Sequence, residues 1–191
     1  MTIIWNRPDL NGEGPFVGEI TADGDVVGRL SMGVHERSRI RRGVINQVHR
    51  ENSTGRGAIS IAYSMTVSML GLDILCSDFK RTEAGSRLWT KLRPKQDLKK
   101  LEIHHGRYDE MFSDAELNEA EPEIVRREVY VLCKDVITCC RAAAIWYAGT
   151  GDVIILKEGE PIDCDQVASD EYQREEDERI EEMLRKQESE T

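Results

Sequence analysis

No stretch of this sequence stays apolar for the roughly 20 residues that a membrane-crossing helix needs, and no signal-peptide pattern opens it. Cys-x-x-Cys spacing is missing, and the four histidines make no zinc pattern with the five cysteines. An odd cysteine count, with an adjacent pair at Cys139-Cys140, does not read as a disulfide framework. Positive charge is also scarce: 26 Lys and Arg stand against 36 Asp and Glu, for a formal net charge of −10. That balance argues against general nucleic-acid binding, because displacing phosphate counterions takes Lys and Arg. These absences lead to the expectation of a soluble protein of a reducing cytoplasm, without a metal centre.

At 191 residues the chain can bury a core, and one domain with an appendage is the default. The division expected is a domain over residues 1–165 and a tail over 166–191. Charge is unevenly placed between them. Ser169 to Thr191 is densely acidic, whereas Arg37, Arg39, Arg41 and Arg42 form a basic cluster. The tail offers only Ile180, Met183 and Leu184 for burial, so it reads as a solvated helix or a disordered segment. It could attract a basic partner. Imitation of DNA is the weaker reading, since charge runs are usually solvated ends.

The most informative segment is Asn52-Ser-Thr-Gly55-Arg-Gly57-Ala58, which leads into an apolar stretch and then Gly71 to Asp78. Two glycines one residue apart leave backbone N–H groups uncovered at a candidate helix start, where unpartnered N–H groups and the helix dipole favour an anion. Loops and bulges also use G-x-G. Residues 17–92 resemble the GNAT N-acyltransferase superfamily, whose acyl-CoA loop reads Gln/Arg-x-x-Gly-x-Gly/Ala; Asn52, Gly55 and Gly57 occupy that pattern. Asn52 departs from it, standing where the family has a longer side chain. The run Ser77-Asp78, Gly85, Trp89 and Leu92 is similar to small GNAT-like proteins encoded by bacteriophages. The resemblance implies an α/β fold with a mixed, mainly antiparallel sheet flanked by helices. It also implies pantetheine lying between splayed strands.

Along the chain, Val17 and Ile20 precede Ala22-Asp23-Gly24, and Val26, Val27, Leu30 and Met32 follow, which predicts a hairpin. Val44 to Val48 predicts a third strand. Ala58 to Leu70 alternates serines with Ile59, Ile61, Tyr63 and Met65, a strand period; its length and glycine entrance suit a helix, and the resemblance selects the helix. That helix would use Ala58, Ile61, Ala62, Met65 and Met69 as one face. Leu72 to Cys76 reads as a buried strand, Thr82 as a helix N-cap, Leu101 to His105 and Asp152 to Leu156 as strands. Val125, Val129, Leu132, Val136, Cys139, Ala143 and Trp146 recur at spacings of four and three. They predict one long amphipathic helix within a helical insertion over about 113–148, packed on the sheet or on a second copy in a homodimer. Cys139 and Cys140 then count as small apolar residues.

An N-acyltransferase needs a base for the amine and a donor near the thioester oxygen. The resemblance implies that the backbone of Val48, His49 and Arg50 pairs with pantetheine. It also implies that Gly55, Arg56, Gly57 and Ala58 face the pyrophosphate of acetyl-CoA or another acyl-CoA. Glu51, His49 and Glu19 are the base candidates near that strand. Ser77 stands near the position of a family Asn and could donate a hydrogen bond. No Tyr lies between Phe79 and Leu92 to match the family's thiolate-protonating acid. Two functions of different classes follow. One is an acyl-CoA-dependent N-acyltransferase acting on a protein or small amine. The other is a catalytically inactive GNAT-like phage protein that binds and modulates a host protein in the host cytoplasm.

Overall fold

The computed structural model describes residues 1–6, 15–51, 57–78, 80–94, 97–105, 124–125, 128–147 and 153–189. Strands β1 (Thr2–Asn6), β2 (Phe16–Ala22), β3 (Asp25–Arg37) and β4 (Ile40–Arg50) form an antiparallel meander. The β2–β3 turn holds Asp23 at φ 54° and Gly24 at φ 91°, the left-handed pair that a two-residue hairpin needs. Helix α1 (Ala58–Met69) then crosses to β5 (Ile74–Ser77), which pairs with β4 in parallel. After β6 (Lys80–Arg81) and α2 (Glu83–Lys91) come β7 (Lys99–His105), β8 (Ile124–Val125) and β9 (Glu128–Cys133). Helix α3 (Val136–Tyr147), β10 (Val153–Lys157), β11 (Glu160–Ile162) and α4 (Cys164–Ser189) complete the chain. The main sheet runs β1-β2-β3-β4-β5-β9-β7-β10-β11, with β6 and β8 paired separately. It is a mixed, mostly antiparallel α/β architecture, and β4–β5 is its one parallel neighbour pair among the described residues.

Apolar layers cover both faces of the sheet's middle. Helices α1 and α2 pack over Leu30, Met32, Ile45, Leu75 and Leu132, with Tyr63, Val67 and Trp89 buried between. Helix α3 covers Ile74, Cys76, Val129, Val131 and Cys133 on the opposite face. Strands β5 and β9 are therefore buried on both sides, and neither shows the polar alternation of a half-exposed strand.

That double burial corrects the long-helix expectation. Val125 lies in β8, Val129 and Leu132 lie in β9, and among the seam residues helix begins at Val136; residues 113–123 of the expected helical insertion lie outside the described residues. Val129 and Leu132 face opposite layers, so the spacing of four and three joins two elements instead of one seam. A homodimer through a Val125–Trp146 helix has no such helix to form on. The helix starts where Asp135 accepts hydrogen bonds from the Thr138 backbone N–H (2.7 Å) and hydroxyl (2.9 Å).

Helix α1 is present, but its buried face is Ala58, Ile59, Ala62, Tyr63, Thr66 and Val67, while Ile61 and Met69 are exposed. The buried Thr66 hydroxyl donates to the Ala62 carbonyl at 2.8 Å, so a polar residue sits in the core without an unmet bond. The cysteine expectation is also corrected: Cys140 is disulfide-bonded to Cys164, while Cys76, Cys133 and Cys139 are buried thiols. The hairpin β10–β11 returns the chain to α3, and Cys140 points sideways toward α4 while Cys139 faces the sheet. No helix is long and apolar enough to cross a membrane among the described residues.

Candidate functional site where two strands part

The parallel pair β4–β5 is fastened at one end and open at the other. At the fastened end, the Arg41 N–H donates to the Asp73 carboxylate (2.7 Å) and the Asp73 N–H donates to the Arg41 carbonyl (2.9 Å). Pairing then runs for four residues, from Arg42↔Ile74 to Ile45↔Ser77, and stops. Strand β4 continues to Arg50 paired with β3 alone, so one edge of residues 46–50 has no strand beside it among the described residues. Its register slips by one at the parting: Ser31 faces Gln47 while Met32 faces Ile45, leaving Asn46 as the extra residue of a bulge. A bulge bends its strand and strengthens the local twist, and this one sits where the β4–β5 pairing ends.

Beyond β4 the chain enters α1 through Gly57, at φ 83° and ψ −16°. A side chain there would be strained by the backbone conformation although nothing lies within 4 Å of a built Cβ. The first N–H groups of α1 have no acceptors inside the helix, and no acidic residue occupies its first turn. Asn52, Gly55 and Arg56 lie outside the described residues.

The other predicted site residues fall into two groups. Glu19, Arg29 and His49 are cross-strand neighbours on the sheet face turned away from α1. Arg29 lies 3.6 Å from Glu19 and 3.4 Å from Glu51, and His49 Nε2 lies 3.9 Å from Glu51. Ion pairs this exposed are worth well under about 1 kcal/mol each, so they orient side chains more than they hold the fold. Val48 packs toward the core, and Arg50 stands opposite Gly28.

Ser77 belongs to the second group. It is 2% exposed, and its Oγ accepts hydrogen bonds from the Tyr130 backbone N–H (3.0 Å) and from Arg81 Nη1 (2.9 Å). Arg81 also donates to the carbonyls of Asp78 (2.6 Å) and Glu128 (2.8 Å) and meets the Glu128 carboxylate at 3.2 Å. This network joins the end of β5 to the start of β9 and makes Ser77 a structural acceptor. On the α1 side of it, the Tyr130 ring stacks 6.3 Å from Trp89, which lies 4.9 Å from Tyr63. Cys76 faces α3 instead of the parting. Burial pushes its thiol up to about 11, against the lowering charge of Arg42.

Arg81, Glu128 and Tyr130 carry no signal in the sequence, because 47 residues separate the arginine from its carboxylate. Chemically, the parting offers an open strand edge, a helix start suited to an anion, and a His–Glu pair near the strand end. No family model matches this sequence, and no relative was found among curated proteins.

Proposed function

We propose that the chain is an acyl-CoA-dependent N-acyltransferase of GNAT type, acting on a protein or small amine. The observation that carries this reading is the parting of β4 and β5 beyond Ile45↔Ser77, with α1 entered through a left-handed Gly57. An open edge next to a helix start suits an extended amide chain ending in a pyrophosphate, which is the chemistry of a CoA ester. The edge residues Val48, His49 and Arg50 would bind the pantetheine amides. Gly57 and Ala58, with Gly55 and Arg56, would hold the phosphates. Acyl-CoA, when bound, supplies an acyl group activated as a thioester. Glu51, directly or with His49 at 3.9 Å, would take the proton of the acceptor amine. Ser77 and Arg81 would keep the β5 side of the opening rigid.

The test is a thermal-shift titration with acetyl-CoA, followed by mass spectrometry for acetyl transfer to amines. Ligand at 100 times its Kd adds about 2.7 kcal/mol of stability, so a rise in melting temperature is expected. Absence of any rise at saturating acetyl-CoA overturns the reading. Binding without transfer selects the second reading, a GNAT-like phage scaffold that engages a host protein. That alternative is favoured by one observation: Ser77, the candidate donor, is 2% exposed and held by Tyr130 and Arg81 inside the β5–β9 junction.

A further inference from the structure

Away from the strand parting, on the α3 side of the sheet, α3 and α4 enclose a groove of about 350 Å³. Ile137, Ala144, Val167, Ala168 and the Tyr172 ring line it, together with the Cys140–Cys164 disulfide. This volume takes one or two large side chains. Asp165, Glu171 and Glu175 stand around it from α4, and Arg141 from α3.

We infer that this groove docks a lysine- or arginine-rich amphipathic helix of a partner protein, which inserts a large apolar side chain between α3 and α4. Charge decides the occupant. Helix α4 carries ten acidic residues against four basic ones, more than half of the chain's excess of negative charge. Each of those four cations is already paired within the helix: Arg174 with Glu171, Arg179 with Glu176, Arg185 with Glu181 and Lys186 with Glu182. Asp165 and Glu175, at the groove, have no ion-pair partner among the described residues. A second copy would bring another acidic α4 against this one, and like charges across an interface oppose docking. A basic helix instead meets complementary charge around an apolar pocket, the arrangement of helix-in-groove recognition. The disulfide pins the first residue of α4 to α3, so the groove is formed before a partner arrives and the cost of ordering it is already met.

The test uses the full-length oxidised protein and a fluorescein-labelled peptide helix with a leucine seam flanked by lysines, read by anisotropy. A second peptide replaces every lysine by glutamate. Ala168→Trp fills the groove from an exposed position without changing charge, and Glu175→Gln removes one carboxylate. The expected result is binding of the lysine peptide on the order of micromolar Kd, weakened about tenfold by Ala168→Trp and less by Glu175→Gln. Added salt weakens it further, and the glutamate peptide does not bind. Unchanged binding in Ala168→Trp would mean diffuse attraction to an acidic helix and overturns the inference. So does a lysine peptide that fails to bind, or self-association of the protein that Ala168→Trp abolishes. Equal melting temperatures of Ala168→Trp and wild type exclude misfolding as the cause.

Discussion

Replacing Arg81 by Met should cost more stability than any other single change of a charged residue among the described residues. The side chain is 4% exposed, and Glu128, its partner at 3.2 Å, is 25% exposed. Methionine fills most of the volume but leaves that carboxylate without its cation. Breaking a buried pair costs about 3–5 kcal/mol, and the residual exposure of Glu128 puts this case near 3. The carbonyls of Asp78 and Glu128 each lose a donor as well, worth about 1 kcal/mol apiece at partly hydrated positions. The total, about 4–5 kcal/mol, is a large part of the 5–15 kcal/mol that typically separates folded from unfolded. A chain of this length loses about 2–4 °C per kcal/mol, so melting should fall by roughly 10–15 °C. Urea unfolding followed by tryptophan fluorescence is a suitable assay, because Trp89 stacks on Tyr130 beside the network. Arg81→Lys should recover only part, since one ammonium replaces Nη1 but not Nη2, which meets the Glu128 carboxylate at 3.2 Å, or Nε, which donates to Ser86 at 3.3 Å. In a double-mutant cycle, Glu128→Gln should cost much less when combined with Arg81→Met than alone. A loss below about 1 kcal/mol for Arg81→Met, or full additivity in the cycle, refutes the argument that this network joins β5 to β9.

Gly57→Asp should abolish acetyl-CoA binding, whereas Gly57→Asn, whose side chain tolerates the left-handed backbone and carries no charge, should retain much of it. Calorimetric titration separates the two, and equal affinities would remove the helix-start site. Leu132→Asp places an unpaired carboxylate at a fully buried point of the sheet's centre, so cooperative unfolding should be lost at a cost above about 4 kcal/mol. Cooperative unfolding retained with only a change in oligomeric state would contradict that placement. Cys140→Ser opens a cross-link spanning 24 residues, for which loop entropy predicts about 3–4 kcal/mol; urea midpoints with and without reductant should differ in wild type and coincide in the variant. Cys76, whose thiol burial pushes up from 9.0 to about 11, keeps its proton in the folded chain where the unfolded chain sheds it. Stability present below about pH 9 is then lost as pH rises toward 11, by on the order of 2–3 kcal/mol. Cys76→Ala should lose less between pH 8 and pH 10.5, roughly, and identical losses would contradict the thiol's burial.

Local chemistry was legible in the amino-acid order alone wherever an element is half exposed or self-capped. The Asp23-Gly24 turn, the alternation in β2 and β3, and the β7 and β10 strands belong to this class. So does Thr82, whose hydroxyl accepts the Gly85 N–H at 3.1 Å. Each depends on a conformational preference carried within a few residues, and no distant partner is needed to express it. For α1 the local signal was divided. Its serine alternation matched a strand, and the helix that formed buries a different face from the one expected, because the sheet beneath decides which side is covered.

Tertiary structure decided the centre and the site. β5 and β9 are covered on both faces, and that removes the polar alternation by which a strand declares itself. Val129 and Leu132 therefore passed for consecutive turns of a helix although they face opposite layers. The Asn46 bulge and the parting of β4 from β5 arise from pairing with β3 and β5, which a single segment cannot encode. Arg81 and Glu128 meet across 47 residues, and Cys140 meets Cys164 only because the β10–β11 hairpin brings the chain back to α3. In each case the interacting groups have no fixed spacing along the chain, so only the folded backbone defines their distance.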